Sequence, residues 1–210
     1  ADYLALDFTR TFSGKPQASQ AVFEGAQVLS LSGAGNDALF ATLIARIDAA
    51  RERIDVVSPY LTFPFCETLA AARARGVRVR LFTPQANNKG VIRDYLLWTA
   101  KRYGFEVCLY DRMSHMKAML IDERVLVVGS SNFDFVSYHA QAELVALLDD
   151  PEIVSAFRTQ VLEPDAASST PAGESNELRG RIAYAALKIA EAAARASGAL
   201  LRADLERQGS

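Results

Sequence analysis

From residue 28 to residue 145, short β-branched runs alternate with longer segments of helical period, and this alternation limits what the chain can fold into. Strand runs that are apolar throughout must be covered on both faces, which specifies helices layered on a sheet. Strands are expected at 27–31, 54–57, 77–82, 105–110, 116–121, 125–128 and 143–148. Helices are expected at 37–51, where Leu39, Leu43, Ile44 and Ile47 share a face, and at 65–75 and 91–102. Ser58-Pro59-Tyr60 halts the second strand, and Pro151 opens a closing helix as a favoured first-turn residue.

Composition removes several classes. Half of the 210 residues are apolar, 23% are charged and the net charge is -2, which excludes general disorder, a collagen-like repeat and a polyanion-coating protein. The longest charge-free stretch is the 12 residues 25–36, short of the roughly 20 apolar residues that span a bilayer. Any membrane contact is expected to be peripheral. Cys66 and Cys108 have no Cys or His at metal-ligand spacing, so buried thiols are expected, with no metal and no cofactor. The chain starts with Ala and no signal peptide is read in it, so a processed or excerpted chain is expected.

Four regions follow. Residues 1–14 are expected to be the closing helix of a preceding lobe, because Leu4, Phe8 and Phe12 repeat the spacing of Ile153, Phe157 and Val161. Residues 22–164 are expected to form a single α/β lobe. Residues 165–177 are small and polar and are expected to be a linker. In 178–207, Leu178, Ile182, Ala186, Ile189, Ala193, Ala196 and Leu200 recur at helical spacing, predicting an amphipathic tail helix packed on its own domain or on a partner.

Residues 115–132, HMKAMLIDERVLVVGSSN, carry the chemistry. On a strand, His115 and Lys117 are two apart and project from one face. Asp122 lies at odd separations from both, on the opposite face, and is expected to be structural. The apolar run 125–128 empties into Gly129-Ser130-Ser131-Asn132, whose hydroxyls and amide offer donors to an anion at the start of a short helix. An imidazole can attack phosphorus or donate a proton near neutral pH, while Lys117, Ser130 and Asn132 neutralise charge on the non-bridging oxygens.

This set resembles the phospholipase D superfamily motif: His-x-Lys, four residues, Asp, six residues, Gly-Ser, then Asn two places on. His115, Lys117, Asp122, Gly129, Ser130 and Asn132 fit every position. Ser58-Pro59-Tyr60, the 74–84 segment ARGVRVRLFTP, and Phe133-Asp134 with Ser137 and Glu143 look like bacterial cardiolipin synthases, although Gln141 stands where those usually carry Asn. The resemblance implies an α/β fold: a mixed central β-sheet flanked by helices on both faces, here with a C-terminal helical extension. It further implies that Glu143 orients His115, that Lys117 and Asn132 hold phosphate, and that Asp122 supports them.

Superfamily members pair two such motifs, one His forming a phosphohistidine and the other protonating the leaving alcohol. This chain has only two histidines, and His139 has Gln141 rather than Lys two places on. One chain is therefore expected to supply half a site, with His115 as acid/base. The second lobe is expected from an N-terminal half or from a homodimer partner. The implied function is a cardiolipin synthase-type phosphatidyltransferase acting on anionic phospholipid, peripheral at the bacterial cytoplasmic membrane or cytoplasmic. Hydrolysis, as a phospholipase D or a homodimeric endonuclease, and a non-catalytic lobe are the alternatives. Residues 71–117 hold ten Lys or Arg against three acids, enough to attract anionic lipid, whereas a nucleic-acid reader would carry a stronger basic excess.

Overall fold

Strand β3 (Arg53–Val57) is buried on both faces, and every other element is placed by what covers it. In this computed structural model, which describes residues 18–33, 35–86 and 89–208, a nine-stranded sheet has the order β1-β2-β8-β7-β6-β3-β4-β5-β9. β3, β4 (Arg78–Pro84) and β5 (Glu106–Tyr110) run parallel. Their crossovers are helices α2 (Phe65–Ala74) and α3 (Gly90–Tyr103). β6 (Ala118–Ile121) is antiparallel to β3, and β7 (Val125–Gly129), β8 (Ala142–Leu148), β2 (Ala26–Ser32) and β1 (Ser19–Phe23) follow as antiparallel neighbours. The sheet is mixed, as the resemblance implied.

The period-2 alternation of β3 sorts the core into two layers. Ile54 and Val56 face the larger one, with Phe40 and Ile47 of α1 (Asn36–Ala49), Leu69 of α2 and Leu96 of α3. Val57 faces the smaller one, with Val154 of α5 (Pro151–Phe157) and Leu162, the last residue of a π-helical turn, Arg158–Leu162. Helices therefore cover both faces. Asp55 also points into the smaller layer, where it is buried and held by Arg80 Nε at 2.5 Å and Arg53 Nε at 2.8 Å. A buried carboxylate is tolerated there because both partners arrive from adjacent positions of the sheet.

The region after residue 164 contains more regular structure than the expected linker. Helix α6 (Glu163–Ser168) continues the chain, and β9 (Thr170–Pro171) adds to the outer edge of β5, with the Ala172 N–H donating to the Val107 carbonyl at 3.0 Å. Polar composition did not exclude this, since pairing on an open edge uses backbone groups. Helix α7 (Glu177–Gln208) then packs on the domain through Gly180, Ala183, Leu187 and Glu191. A Cβ on Gly180 would stand 2.7 Å from Trp98 Cδ1, so the helix approaches α3 as closely as it does only with glycine there. The face expected to be apolar is the outward one: Leu178, Ile182 and Ile189 are 68%, 60% and 74% exposed.

The expected closing helix at 1–14 lies outside the described residues. Cys66 is buried, but Cys108, which lines an open pocket beside Ala166 and Ser169, is only partly covered. Among the described residues, no helix is long and apolar enough to cross a membrane.

Candidate active site

Strand β6 is antiparallel to both of its neighbours, so its first residue meets their last ones: Ala118 pairs with Val57 of β3 and with Val128 of β7. The His115–Lys117 approach to β6 therefore enters at the sheet edge where Ser58 and Gly129-Ser130 emerge. β8 begins at this edge too, since Gly129 pairs with Val145 and the Ser130 N–H donates to the Leu144 carbonyl at 3.0 Å. This is the carboxyl edge of the parallel strands, where open α/β sheets place their ligands.

Gly129 has a packing reason. A Cβ there would overlap the Leu144 carbonyl and stand 2.9 Å from Val145 Cα, so only glycine lets β7 and β8 approach this closely. The Ser130 and Glu143 side chains are joined by a hydrogen bond from the Ser130 hydroxyl to the Glu143 carboxylate, and the Ser130 oxygen accepts from the Leu144 N–H at 3.1 Å.

Lys117 is buried, and its Nζ donates to the His115 carbonyl at 2.7 Å. Burial pushes its pKa below the ordinary lysine range, while the carboxylates of Glu143 and Asp134 act in the opposite direction and favour the ammonium. The exposed His115 lies two residues before this buried cation. His115 and Lys117 precede the regular strand rather than lie within it, because the chain at 113–117 is irregular. Among the described residues, no hydrogen bond joins the His115 ring to Glu143, whose carboxylate is engaged by Ser130. Asn132 is half-buried, and its Oδ1 is buried without a protein partner, a group available to a ligand.

Asp122 is separated from this group by the length of β6. Its carboxylate accepts the backbone N–H groups of Arg51, Glu52 and Arg53 at 2.9, 2.9 and 3.0 Å, tying the β6–β7 turn to the start of β3. Burial raises its pKa, but the three donors outweigh burial and hold it below the usual carboxylate value.

Further residues not assigned a role from the sequence also shape the site. Asp134 is buried and caps α4 (Phe135–His139), accepting from the Ser137 N–H at 2.9 Å. Burial pushes its carboxyl up, opposed by that N–H and by the charge of Lys89. Asp three places before Ser at a helix start is the signal that marks it. The buried Asn36 accepts from the Ser32 and Gly33 N–H groups and donates to the Ser137 and Gln141 carbonyls, anchoring the entry to β8. Gln141 in turn accepts from the Ser137 hydroxyl at 2.8 Å. Lys89 Nζ stands 4.5 Å from the centre of the Tyr60 ring. The Pro59-Tyr60 segment is secured to the Ser130–Asp134 loop by the Thr62 N–H to Phe133 carbonyl bond, 2.9 Å, and by Phe135 N–H to Thr62 Oγ1, 3.1 Å. Among the described residues, no group of three His, Cys, Asp or Glu is placed to hold a metal.

Residues 43–163 match the family described as cardiolipin synthase, PLD-like domain. The minor cardiolipin synthase ClsB of Bacillus subtilis is 30% identical over 118 residues, covering 53% of this chain and 30% of the relative. Cardiolipin synthase A of Pseudomonas syringae is 32% identical over 118 residues, covering 53% and 25%. The aligned part thus spans a third or less of these relatives. The phospholipase D family member Nuc of Salmonella typhimurium superimposes with a TM-score of 0.62 at 19% identity, covering 74% of this chain and 99% of that one. Phosphatidylserine synthase of Haemophilus influenzae gives 0.61 at 14% identity, covering 81% and 47%. The motif residues, the fold and the match over more than half its length agree: the chain belongs to the cardiolipin synthase PLD-like domain family of the phospholipase D superfamily.

Proposed function

We propose that the chain is one catalytic half of a phosphatidyltransferase of cardiolipin synthase type, acting on phospholipid phosphodiesters. The observation that carries this reading is a buried cation, Lys117, two residues from an exposed imidazole, entering the sheet edge where Gly129 and Ser130 end β7. In the forward step, the partner lobe's imidazole attacks phosphorus and the ester P–O bond breaks. His115, protonated, gives its proton to the departing alkoxide. In the return step His115 takes the proton from an acceptor alcohol, whose oxygen attacks phosphorus and breaks the P–N bond. Lys117, with the Asn132 side-chain NH2 group and the Ser130 hydroxyl once it turns from Glu143, donates to the non-bridging oxygens as charge builds on them. Glu143, engaged by Ser130, supplies negative charge that favours the Lys117 ammonium and is to reach the His115 ring only once the assembled site releases it, and Asp122 holds the strand that carries the motif.

Transfer to phosphatidylglycerol by the complete two-lobed assembly tests this reading. His115→Ala is expected to abolish transfer while the fold persists, and undiminished transfer by that variant would refute it. A hydrolase assembled from two copies is the second reading. It is favoured by the coverage of 99% and 100% of two solved chains, Nuc and NucT of Helicobacter pylori, by this single lobe. Separate incubation with phosphatidylglycerol and with labelled DNA distinguishes the two.

A further inference from the structure

A cleft of about 670 Å³ between α2, α3 and α7 lies outside the motif site. Its wall is a row of rings: Trp98 to Tyr184 at 5.7 Å between centroids, and Tyr184 to Tyr95 at 6.4 Å. At one end, the exposed Arg102 guanidinium lies 5.6 Å from the Trp98 centroid and 6.0 Å from that of Tyr103. Arg181, exposed on the second turn of α7, lines the same cleft.

Two carboxylates also border it, and neither neutralises these cations. Glu67 is engaged by Lys188 at 3.8 Å. Glu177 is exposed, and among the described residues no carboxylate lies within ion-pair distance of Arg102 or Arg181. The lining carries two guanidiniums and two carboxylates, and Arg102 lies over the Trp98 ring rather than against either carboxylate. A guanidinium held over an indole without a carboxylate partner keeps N–H groups open for an oxyanion. The volume suits a small organic molecule, and the aromatic wall suits an apolar body rather than a bare ion.

We propose that this cleft binds an amphiphilic phosphate, with the phosphate on Arg102 and Arg181 and the apolar body along Trp98 and Tyr184, which Tyr95 backs from the core. The site is independent of the phosphodiester chemistry above, since none of the motif residues lines it. A lipid headgroup and free phosphate offer the guanidiniums the same oxygens, and the apolar wall selects the former.

Trp98 is the chain's single tryptophan, so its fluorescence reports on this cleft directly. Titration with dihexanoyl phosphatidic acid, below its micelle concentration, is expected to give a saturable change. Lys117→Gln, which disables the motif site, is expected to keep that response. Arg181→Gln, an exposed position whose fold is checked by circular dichroism, is expected to weaken it at least about tenfold. Inorganic phosphate saturating at the same concentration would overturn the assignment of an amphiphile. Dihexanoylglycerol giving an equal response that Arg181→Gln leaves unchanged would overturn the role of the guanidiniums. No fluorescence change with any of the three overturns the site.

Discussion

At the scale of single residues, two charged side chains of the motif work in opposite electrostatic regimes. Asp122 gathers three backbone N–H donors and is held ionised below the usual carboxylate pKa. Asn in its place offers one acceptor oxygen and turns an NH2 group toward donors, so Asp122→Asn is expected to cost about 1–3 kcal/mol. A folded pKa below the unfolded one contributes stability above the unfolded value, and that contribution is lost as pH falls through the folded value. Urea unfolding is therefore expected to show the full gap at pH 7, a gap that begins to close near pH 4 and vanishes in stronger acid. A variant equally stable at pH 7 but inactive would place Asp122 in the chemistry instead. Lys117 is shifted down by burial, so its charge is lost at lower pH than that of an ordinary lysine. The alkaline limb of kcat/KM is expected below the usual lysine range, and Lys117→Arg should move it upward, because guanidinium stays protonated. Lys117→Gln should lower kcat by about 10²–10³, the usual effect of removing one oxyanion donor. A limb that stays in place in the arginine variant would exclude Lys117 as its source.

Elements convert these residues into a site, and Gly129 shows how. Its absent Cβ lets β7 and β8 come together, and the same approach joins Ser130 to Leu144 and Glu143. Gly129→Ala is expected to force the strands apart at a cost of about 1–3 kcal/mol, as overpacking does. Activity should fall more than stability, since Ser130 and Glu143 move before the rest of the sheet. Melting curves and turnover measured on one preparation check this, and wild-type activity in Gly129→Ala would refute it. The same comparison shows what was legible in the sequence. The apolar run of β7 and the turn after it were plain from composition and period, as were the helices covering β3 and β4. The packing role of Gly129 was not, because the Leu144 carbonyl it accommodates belongs to a strand whose register no local pattern reports. β9 escaped notice because two residues paired through backbone groups need no apolar side chains. The face of α7 was misjudged for a related reason: close contact with Trp98 requires small residues, so Gly180 and Ala183 dock where Leu178 and Ile182 carry the larger hydrophobic signal. Asp134 had its marker in the sequence, a cap three residues before Ser137, yet its nearness to Lys117 arises only when β6 and the β7–α4 loop meet at one sheet edge.

For the whole molecule, the arithmetic of proton transfer sets the requirement. Displacement at phosphorus through a covalent intermediate needs one group to attack and a second to protonate the leaving oxygen, and the motif site contains one imidazole. The other histidine, His139, lies between α4 and α7 with its Nε2 at 3.9 Å from Glu191, and burial lowers its pKa. It serves helix packing rather than the motif site, so the proposed two-imidazole mechanism requires a second motif from another lobe. If copies of this chain pair to supply it, specific activity is expected to rise with protein concentration. Mixing equal amounts of wild type and His115→Ala should then halve the turnover per wild-type chain, because random pairing places half of the wild-type chains with an inactive partner. If a different lobe supplies the second motif, the chain alone is expected to be silent at every concentration and to gain activity when that lobe is added. Turnover by the isolated chain that is indifferent both to dilution and to added His115→Ala would show that one imidazole suffices, and the half-site reading would fall with it.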